Sequence, residues 1–439
     1  MKAAVQIVKK LQDSGFEAYF AGGSVRDMLF KKEPVDFDIA TSAKPQEVEK
    51  IFKKTKPVGK DFGVVLVIEN NIAFEVATFR ADIGTDTRRP KKVKFVSAKE
   101  DAFRRDFTIN GIFYDPVKKK YIDFVDGEKD LRRKIIRFIG VPKKRIDEDY
   151  LRVLRAVRFK NVLGFDYDGK TMEAVKENVE KVSKVSSERV REELDKMFVN
   201  KNRSYAVEDM SKFGLLEIVL PEIEEMRKVE QSPPYHHEGD VFAHILLVLK
   251  EIPENSDVDL VWACMLHDLG KKETRKELPM NRVSFHGHAS FSVEKSEKIL
   301  RRLKFSKQRI KKILWLVEFH QKFCDIPKMR VGRRRNLFMH EYFPLLIQLF
   351  HADLFGSIPK AKKDYKAVAD LYRTDKKVLK KLKVEKPLVM GDDIMKEFGL
   401  APGKKVGELL KVAKDAQIER KVKTKKEMLE FLKKSIALF

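Results

Sequence analysis

The spacing of hydrophobic and polar residues divides this chain into a mixed amino-terminal part and a long helical remainder. Short runs of β-branched and aromatic residues at 18–20, 64–68 and 73–79 predict strands, because such side chains fit a half-buried pleated surface. The run 45–52 has helical spacing, and from about residue 145 onward helical spacing continues almost without interruption. We therefore expect an α/β part followed by an all-α part.

A glycine pair followed by an arginine precedes two aspartates that are one residue apart. Gly22 and Gly23 permit the backbone to approach phosphate oxygens closely, and Arg26 can add charge-assisted hydrogen bonds. On one strand, Asp36 and Asp38 would point to the same face and could hold the same divalent cations. This combination predicts a nucleotidyltransferase with both aspartates at its catalytic centre.

Two further segments offer candidate site residues. Glu75 lies in the third predicted strand and could complete the metal site or activate an attacking hydroxyl, although acidic strand residues are often simply solvated. Arg105 and Asp106 could bind phosphate and ribose hydroxyls respectively. An ordinary ion pair at a helix start is the alternative interpretation of these two residues.

The segment 148–159 could select the base. If Asp149 and Arg152 lie three residues apart on a helix, they present an acceptor beside a donor, which matches cytosine and adenine. Guanine and uracil carry the reversed pattern and would leave buried groups unpaired. Arg155 and Arg158 would continue this ridge towards the phosphates. A surface helix with a charged face is the alternative.

Composition narrows the class of partner. The 439 residues include 92 Lys and Arg against 67 Asp and Glu, which gives a net charge of +25. Such an excess favours a polyanion such as nucleic acid, because neutralised phosphates release their counterions. A thermophilic surface would explain the charged fraction of 36% but not the imbalance between the two signs.

Targeting and redox signals are those of a cytoplasmic protein. No apolar run approaches the length of a membrane span, so we expect neither a transmembrane helix nor a membrane partner. Residues 1–10 are interrupted by charge and predict an amphipathic helix, not a signal peptide. Because Cys264 and Cys324 are the only cysteines, a disulfide framework is not expected and a reducing cytoplasm fits.

A second group of histidines and aspartates lies in the helical part. The apolar run 260–266 predicts a buried helix that ends at Leu269-Gly270, so that His267 and Asp268 emerge at its end, which is a favourable place for metal ligands. By itself, His320 would more often be a core histidine than a ligand. The candidate ligands are His244, His267, Asp268 and Asp353, with His286 or His288 and also His320 as further ones.

Four motifs in order closely resemble the class II tRNA nucleotidyltransferase and bacterial poly(A) polymerase family, which belongs to the polymerase β-like nucleotidyltransferases. The resemblance implies an α+β protein, with a small mixed α/β head followed by an elongated all-α neck, body and tail. The motifs are 22–27, 36–38, 104–110 and 148–152. The expected domains are the head at 1–140, the neck with the nucleotide-selecting helix at 141–200, the body at 201–360 and the tail at 361–439.

The resemblance also implies roles for individual residues. The reaction would be attack of a tRNA 3′-hydroxyl on the α-phosphate of CTP or ATP, with pyrophosphate leaving and two metal ions holding the in-line geometry. In this scheme Asp36 and Asp38 bind Mg²⁺, the Gly22-Gly23 step and Arg26 contact the triphosphate, Arg105 and Asp106 address the incoming nucleotide, Asp149 and Arg152 form an amino-acid template for C and A, and Arg155 and Arg158 contribute to nucleotide binding.

Residues 80–95 bear on which member of the family this is. They resemble the flexible loop that A-incorporating and full CCA-adding members carry, and Gly84 and the low apolar content suit a mobile segment. Thr85 lies near the place of the usual aromatic residue. Members that add only the two cytidines lack this segment. Full CCA addition is therefore favoured, while A-addition alone and poly(A) synthesis stay open.

Two resemblances concern the helical part. Residues 236–355, with His267-Asp268 at their centre, are similar to HD-domain metal phosphohydrolases, which implies a second divalent metal. The basic tail resembles the carboxy-terminal region of the nucleotidyltransferases, where Lys404 and Lys405, beside a helix start near Val406, would contact RNA phosphates. Two other classes of function stay open: a phosphohydrolase whose head only binds substrate, and a noncatalytic RNA-binding protein.

Overall fold

The computed structural model describes residues 1–34, 36–57, 63–85, 90–231, 237–279, 282–382, 387–419 and 421–436. The chain separates into two compact units, which we call unit 1 (Met1–Glu224) and unit 2 (Glu225–Phe439). Unit 1 combines a mixed sheet with helices, and unit 2 is almost entirely helical. The α+β class is thereby confirmed, while the domain boundaries at 140, 200 and 360 stay predictions.

The strands of unit 1 are β1 (Ala18–Ala21), β2 (Asp38–Thr41), β3 (Thr55–Pro57), β4 (Val64–Glu69), β5 (Ile72–Thr78), β6 (Arg80–Thr85), β7 (Pro90–Phe95), β8 (Phe113–Asp115), β9 (Lys120–Ile122), β10 (Ile135–Ile136) and β11 (Asp166–Tyr167). Seven of them form one mixed sheet in the order β3–β4–β5–β2–β1–β8–β9. Neighbouring strands in this sheet are antiparallel except for β2 and β5, which are parallel. The three predicted strands correspond to β1, β4 and β5.

The centre of the sheet fixes where polar residues meet. The antiparallel register pairs Ala21 of β1 with Asp38 of β2. The parallel register pairs Ile39 of β2 with Val76 of β5. Asp38 and Glu75, each one residue earlier, therefore lie side by side, next to the glycine pair that follows β1.

The segment predicted as a loop at 80–95 contains two strands that the apolar pattern does not reveal. β6 and β7 pair antiparallel, with Arg80 opposite Phe95, and form a separate two-stranded sheet. Residues 86–89, which join them, lie outside the described residues. The mobility of the segment stays a prediction.

Helices complete unit 1. The amphipathic helix expected at the amino terminus is α1, which buries Ala3, Ala4, Ile7, Val8 and Leu11 on one face. The helix predicted at 45–52 is α3. The helices are α1 (Lys2–Asp13), α2 (Gly23–Leu29), α3 (Pro45–Ile51), α4 (Ala98–Phe103), α5 (Gly127–Arg133), α6 (Pro142–Glu148), α7 (Arg152–Leu163), α8 (Gly169–Glu177), α9 (Ser187–Phe198), α10 (Arg203–Lys212), α11 (Leu215–Val219) and α12 (Pro221–Glu224).

The described residues of unit 2 are mainly helical and include one short hairpin. Its elements are α13 (Val241–Glu251), α14 (Val258–Leu266), α15 (Lys271–Thr274), β12 (Lys276–Leu278), β13 (Arg282–Ser284), α16 (His288–Arg302), α17 (Lys307–Phe319), α18 (Val331–Phe338), α19 (Phe343–Gly356), α20 (Lys362–Leu382), α21 (Gly391–Phe398), α22 (Lys404–Ile418) and α23 (Lys425–Ile436). As predicted, α14 is buried, from Asp259 to Leu266, and His267 and Asp268 follow its end. The helix ends at Leu266, however, and not at the predicted Leu269-Gly270.

The last three helices of unit 2 share a small core that includes Ile394, Leu409, Met428 and Leu432. Through the part of the chain that the structure describes, no helix combines the length and apolar character needed to cross a bilayer.

Candidate functional site

A cavity of about 430 Å³ in unit 1 gathers residues from distant parts of the sequence. Its volume lies in the range of small-molecule binding sites. Asp36 and Arg158 are not among its lining residues. The predicted residues that line it are Gly22, Gly23, Arg26, Asp38, Glu75, Arg105, Asp106, Asp149, Arg152 and Arg155.

Neighbouring carboxylates lie on one wall of this cavity. Burial and the Glu75 carboxylate raise the pKa of Asp38, Arg105 opposes them, and Asp36 adds to the rise. A bound cation relieves such repulsion, so these oxygen ligands fit a hard divalent metal. The prediction that both aspartates lie on one strand is wrong, because β2 begins at Asp38 and Asp36 is exposed just before it.

The glycine pair brings the backbone close to the carboxylates. Gly22 has a φ of +69°, and a Cβ at this position would lie 3.3 Å from Asp38 Oδ2. Glycine tolerates both constraints. Arg26 is held at the cavity by Asp27, at 2.9 Å, and donates from Nη1 to Asn110 Oδ1 at 3.1 Å. Asn110 is a site residue that the sequence reasoning did not single out.

Arg105 is oriented by a buried acid that was also not predicted. Arg105 Nη2 lies 3.0 Å from Asp101 Oδ2, and Arg104 lies 2.8 Å from the other oxygen. Burial acts to raise the pKa of Asp101, but Arg105 and Arg104 outweigh it and lower the pKa. The acid comes from α4, so this helix fixes the direction of both arginines at the cavity.

Asp106 anchors Arg155 inside the cavity wall. Its Oδ2 accepts hydrogen bonds from Arg155 Nη2 at 2.5 Å and Nε at 2.8 Å, and its Oδ1 accepts one from Asn110 Nδ2 at 3.1 Å. Burial acts to raise the pKa of Asp106, but Arg155 dominates and lowers it to about 2. The carboxylate is therefore ionised and held by its neighbours in this structure.

Asp149 forms its ion pair with a residue forty positions later in the chain. Arg189 Nη1 donates to Asp149 Oδ1 at 3.0 Å, and Nη2 donates to Oδ2 at 2.7 Å. Asp149 has extended backbone just after α6. The expectation that Asp149 and Arg152 share one helix is therefore wrong. Both residues nevertheless line the same cavity.

Arg152 is fixed by acceptors on three sides. Its Nη1 donates to Glu148 Oε2 at 2.6 Å and to the Arg145 carbonyl at 2.7 Å, and its Nη2 donates to the Arg104 carbonyl at 3.2 Å. Two of these acceptors are backbone atoms. Arg152 therefore presents a preorganised guanidinium at the cavity.

The position of Arg158 differs from the predicted ridge towards the phosphates. It faces Glu193, with Nε 2.6 Å from Oε2, and is not a lining residue of the cavity. Glu193 is 2% exposed and also lies 3.4 Å from Arg155 Nη1. Arg158 thus belongs to the ion-pair network that joins α7 to α9, behind the cavity wall.

Unit 2 contains a cluster of four histidines and two aspartates, in which every residue except the partly exposed Asp353 is buried. Asp268 Oδ2 lies 3.2 Å from His267 Nε2 and 3.7 Å from His244 Nε2, and Asp268 Oδ1 lies 3.0 Å from His288 Nε2. The two groups of candidate metal ligands are His244, His267 and Asp268, and Asp268, His288 and His320. Asp353 Oδ1 joins the first group at 3.1 Å from His244 Nε2.

Of the two neighbouring histidines, His288 lies in the cluster, and His286 lines the cavity beside it. His288 is buried at the first position of α16, whereas His286 is exposed. Gly287, with a φ of +79°, turns the chain between them. The cluster opens into a cavity of about 660 Å³ that Phe285, Phe323 and Lys271 also line.

Hydrogen bonds fix the tautomers of three histidines in the cluster. Their Nδ1 atoms lie 2.6 to 2.9 Å from backbone carbonyls. A carbonyl only accepts, so each Nδ1 carries a proton, and each Nε2 is left as the ring atom that can bind a metal in the cluster. The pairs are His267 with the Cys264 carbonyl, His288 with the Phe285 carbonyl and His320 with the Val317 carbonyl.

The carboxylates of the cluster favour a positive charge at its centre. Burial acts to lower the pKa of His267, but Asp268 and Asp353 outweigh it and raise the pKa to about 10. His267 Nε2 is buried and makes no hydrogen bond of acceptable geometry among the described residues. Lone pairs and carboxylates that converge in this way fit a divalent metal.

Exposed basic residues of unit 2 lie in two places, at the start of α22 and in the lining of a second cavity of this unit. Lys404 and Lys405 are exposed at the start of α22. A cavity of about 580 Å³ is lined by Lys328, Arg330 and Arg333, among others. These three are exposed. The same lining also contains Asp325, Asp415 and Glu419, and Arg330 is one of the residues that lower the pKa of Glu419.

Comparison with protein families agrees with the two-part architecture. The poly A polymerase head domain matches residues 18–137. The RNA and SrmB-binding site of polymerase A matches residues 164–227, and tRNA nucleotidyltransferase domain 2 matches residues 283–432.

Curated relatives are CCA-adding enzymes. The protein of Streptococcus gordonii is 33% identical over 411 residues, which cover 93% of this chain and 90% of that protein. The protein of Pediococcus pentosaceus is 41% identical over 262 residues, which cover 59% of this chain and 63% of that protein. The first alignment spans nearly the whole chain, and the second spans less than two thirds of the relative.

Solved structures show the same architecture. The Bacillus stearothermophilus CCA-adding enzyme in complex with CTP has a TM-score of 0.75 and 26% identity, covering 100% of this chain and 98% of that one. The Thermotoga maritima CCA-adding enzyme complexed with tRNA has a TM-score of 0.60 at 20% identity, with 99% and 95% covered, which is a likeness of fold. Because 33% identity extends over nearly the full length of the Streptococcus gordonii protein and the fold is the same, the chain belongs to the CCA-adding enzyme family of tRNA nucleotidyltransferases.

Proposed function

We propose that this chain adds CCA to the 3′ end of tRNA, using CTP and ATP and releasing pyrophosphate. The observation that carries the proposal is the cavity of unit 1, where Asp38 and Glu75, the glycine pair, and the base-selecting candidates Asp149 and Arg152 line one space. Family membership supplies the expected chemistry. A reducing cytoplasm, favoured by two free cysteines, is the proposed location.

The carboxylates supply the proposed catalytic centre. Asp36, Asp38 and Glu75 would hold Mg²⁺, whose chemistry when bound is to neutralise the triphosphate and polarise the reacting phosphate. The raised pKa of Asp38 supports this role, because burial and the neighbouring carboxylates both disfavour its negative charge until a cation binds. As the alternative to binding the metal, Glu75 would accept the proton of the attacking hydroxyl. No covalent enzyme intermediate is required.

The cationic side chains supply positioning. Arg26 and Arg105, each held by a neighbouring carboxylate, would bind the triphosphate without having to reorganise. Asp149 and Arg152 would read the base, with the acceptor of one beside the donor of the other. Arg155, anchored by Asp106, would support the same wall.

The proposed RNA contacts lie in unit 2. Lys404 and Lys405, together with the cavity group Lys328, Arg330 and Arg333, would neutralise phosphates of the tRNA backbone. The net charge of +25 supports a polyanion of this size. Recognition of this kind follows the shape of the RNA, because A-form grooves expose little readable sequence.

The nature of the added sequence is tested with single labelled nucleotides. The full chain is incubated with tRNA transcripts that end before CCA or after its two cytidines. Incorporation of C on the first transcript and of A on the second supports CCA addition. A-addition alone would label only the second transcript, with one A, and a poly(A) polymerase would produce long A tracts on either. Absence of incorporation on both would overturn the proposal.

A second candidate function is a metal-dependent phosphohydrolase in unit 2. The observation that favours it is the convergence of four Nε2 atoms on Asp268 and Asp353. A divalent metal held there would supply Lewis-acid polarisation of a phosphoryl oxygen. The test is hydrolysis of phosphomonoesters and phosphodiesters by the chelator-treated chain, with Mn²⁺, Ni²⁺ or Co²⁺ added back. We expect His267→Ala to abolish any activity that appears, and inactivity with every metal would remove this function.

A further inference from the structure

We propose that Glu238 is a positioning residue of the cluster in unit 2 and that its carboxylate sets the affinity of that cluster for a divalent metal. The proposal rests on the metal centre described as the second candidate function. Glu238 was not predicted from the sequence, and its side chain is 2% exposed. Buried carboxylates are rare without a partner, and both oxygens of this one have partners at the site.

The first contact of Glu238 distinguishes His244 from the other histidines. Glu238 Oε1 lies 3.2 Å from His244 Nδ1, whereas the other three Nδ1 atoms donate to backbone carbonyls. An ionised carboxylate only accepts, so His244 Nδ1 carries a proton, and Nε2, which lies 3.1 Å from Asp353 Oδ1, is left as the ring atom that can bind a metal. A carboxylate partner also makes an imidazole a stronger ligand than a carbonyl partner does.

The second contact connects both sides of the cluster. Glu238 Oε2 accepts a hydrogen bond from the Ile358 amide at 2.9 Å, and the His237 amide donates to the Ile358 carbonyl at 2.8 Å. Ser357 Oγ donates to the Asp353 carbonyl at 3.0 Å. The Glu238 carboxylate therefore links the segment before α13 to the segment after α19. Helix α13 carries His244, and helix α19 carries Asp353.

These two contacts make glutamine an informative replacement. In Glu238→Gln the amide oxygen of the new side chain is needed by the Ile358 N–H, so its amide NH₂ is left facing His244 Nδ1. Because that NH₂ donates, Nδ1 must accept, and the ring proton moves to Nε2, where it blocks the lone pair that a metal requires. Glu238→Asp retains two acceptors on a shorter side chain. We therefore expect the isosteric Glu238→Gln to weaken metal binding more than Glu238→Asp does.

The test measures the affinity of the full chain for Co²⁺ alone, by titration of the chelator-treated protein and visible absorption. We expect Glu238→Gln to raise the dissociation constant for Co²⁺ about 10- to 100-fold, which is the usual effect of removing a hydrogen-bond partner of a metal ligand. Glu254→Gln, at an exposed position of unit 2, is the matched control and should leave the constant unchanged. CCA addition should be the same in all variants.

A double variant separates positioning through His244 from a general effect on folding. Glu238→Gln combined with His244→Ala should bind Co²⁺ no more weakly than His244→Ala alone, because Glu238 acts through that ring. Additive losses, or wild-type affinity in Glu238→Gln, would overturn the role of Glu238 while the metal centre stands. If the wild-type chain binds no Co²⁺, the metal centre fails first and the assignment of Glu238 fails with it.

Discussion

Arg189 holds Asp149 by two parallel hydrogen bonds, of 3.0 Å and 2.7 Å, across forty residues of sequence. A two-armed pair of this kind fixes the plane of the carboxylate as well as its charge. If Asp149 reads the base, Arg189 determines the direction in which its oxygens face. The relationship connects α9 to base selection and makes a residue outside the cavity lining relevant to specificity.

We expect Arg189→Lys to relax nucleotide selection. Lysine keeps the charge but contributes a single point of attachment, so the carboxylate can rotate. Discrimination, measured as the ratio of kcat/KM for CTP to that for UTP, should fall about tenfold, which corresponds to about 1.4 kcal/mol. Lys170→Gln, an exposed change in unit 1, should have no effect. Equal discrimination in Arg189→Lys and the wild type would show that Asp149 needs no such support.

The template itself is tested by removing both candidate residues. Asp149→Ala combined with Arg152→Ala should admit G and U, because the acceptor and donor that reject their reversed pattern are gone. Incorporation of each labelled nucleotide into truncated tRNA provides the measurement. Unchanged preference for C and A in the double variant would remove these residues from base selection.

The Asp106–Arg155 ion pair predicts a pH-dependent contribution to stability. The pKa of Asp106 in the folded chain is about 2, below its ordinary value of 3.8, so the pair stabilises the fold above pH 4. A shift of this size corresponds to about 2 kcal/mol. Asp106→Asn should therefore lower the unfolding midpoint in urea at pH 7. The difference from wild type should narrow as the pH falls from 4 towards 2, and a pH-independent difference would show that it does not arise from this ion pair.

The basic cavity of unit 2 predicts how tRNA binding responds to salt. Arg330→Gln with Arg333→Gln should weaken tRNA binding about tenfold near 0.1 M salt and flatten the logarithmic salt dependence by about 1.5, because two phosphate contacts are lost. Lys298→Gln with Arg301→Gln removes the same charge from residues that are paired with Glu294 and Glu297. A similar loss in this control pair would indicate an effect of net charge only.

Local pattern was sufficient where neighbouring residues decide the structure. Strands β1, β4 and β5 and the buried helix α14 follow from short apolar runs, whose burial depends little on distant parts of the chain. The glycine pair and Asp38 could be placed at one site because a tight turn and a strand start have local signatures.

Contacts between residues that are far apart in the sequence could not be predicted from the local pattern. The partner of Asp149 is forty residues away, and nothing in the segment 148–152 distinguishes Arg189 from Arg152 as that partner. Asp101 and Glu193 resemble ordinary helix surface acids until the fold buries them against arginines. The choice of His288 over His286 depends on the turn at Gly287, which a list of histidines does not contain.

The central claim is that nucleotide transfer to tRNA takes place at the carboxylates of unit 1 and not at the histidine and aspartate cluster of unit 2. Its most direct test is the rate of CCA addition by wild type, Asp38→Ala and His267→Ala, at saturating CTP, ATP and Mg²⁺. We predict that Asp38→Ala loses at least about a thousandfold, or about 4 kcal/mol of transition-state stabilisation, while His267→Ala keeps the wild-type rate. The opposite result, with addition intact in Asp38→Ala and lost in His267→Ala, would contradict the account.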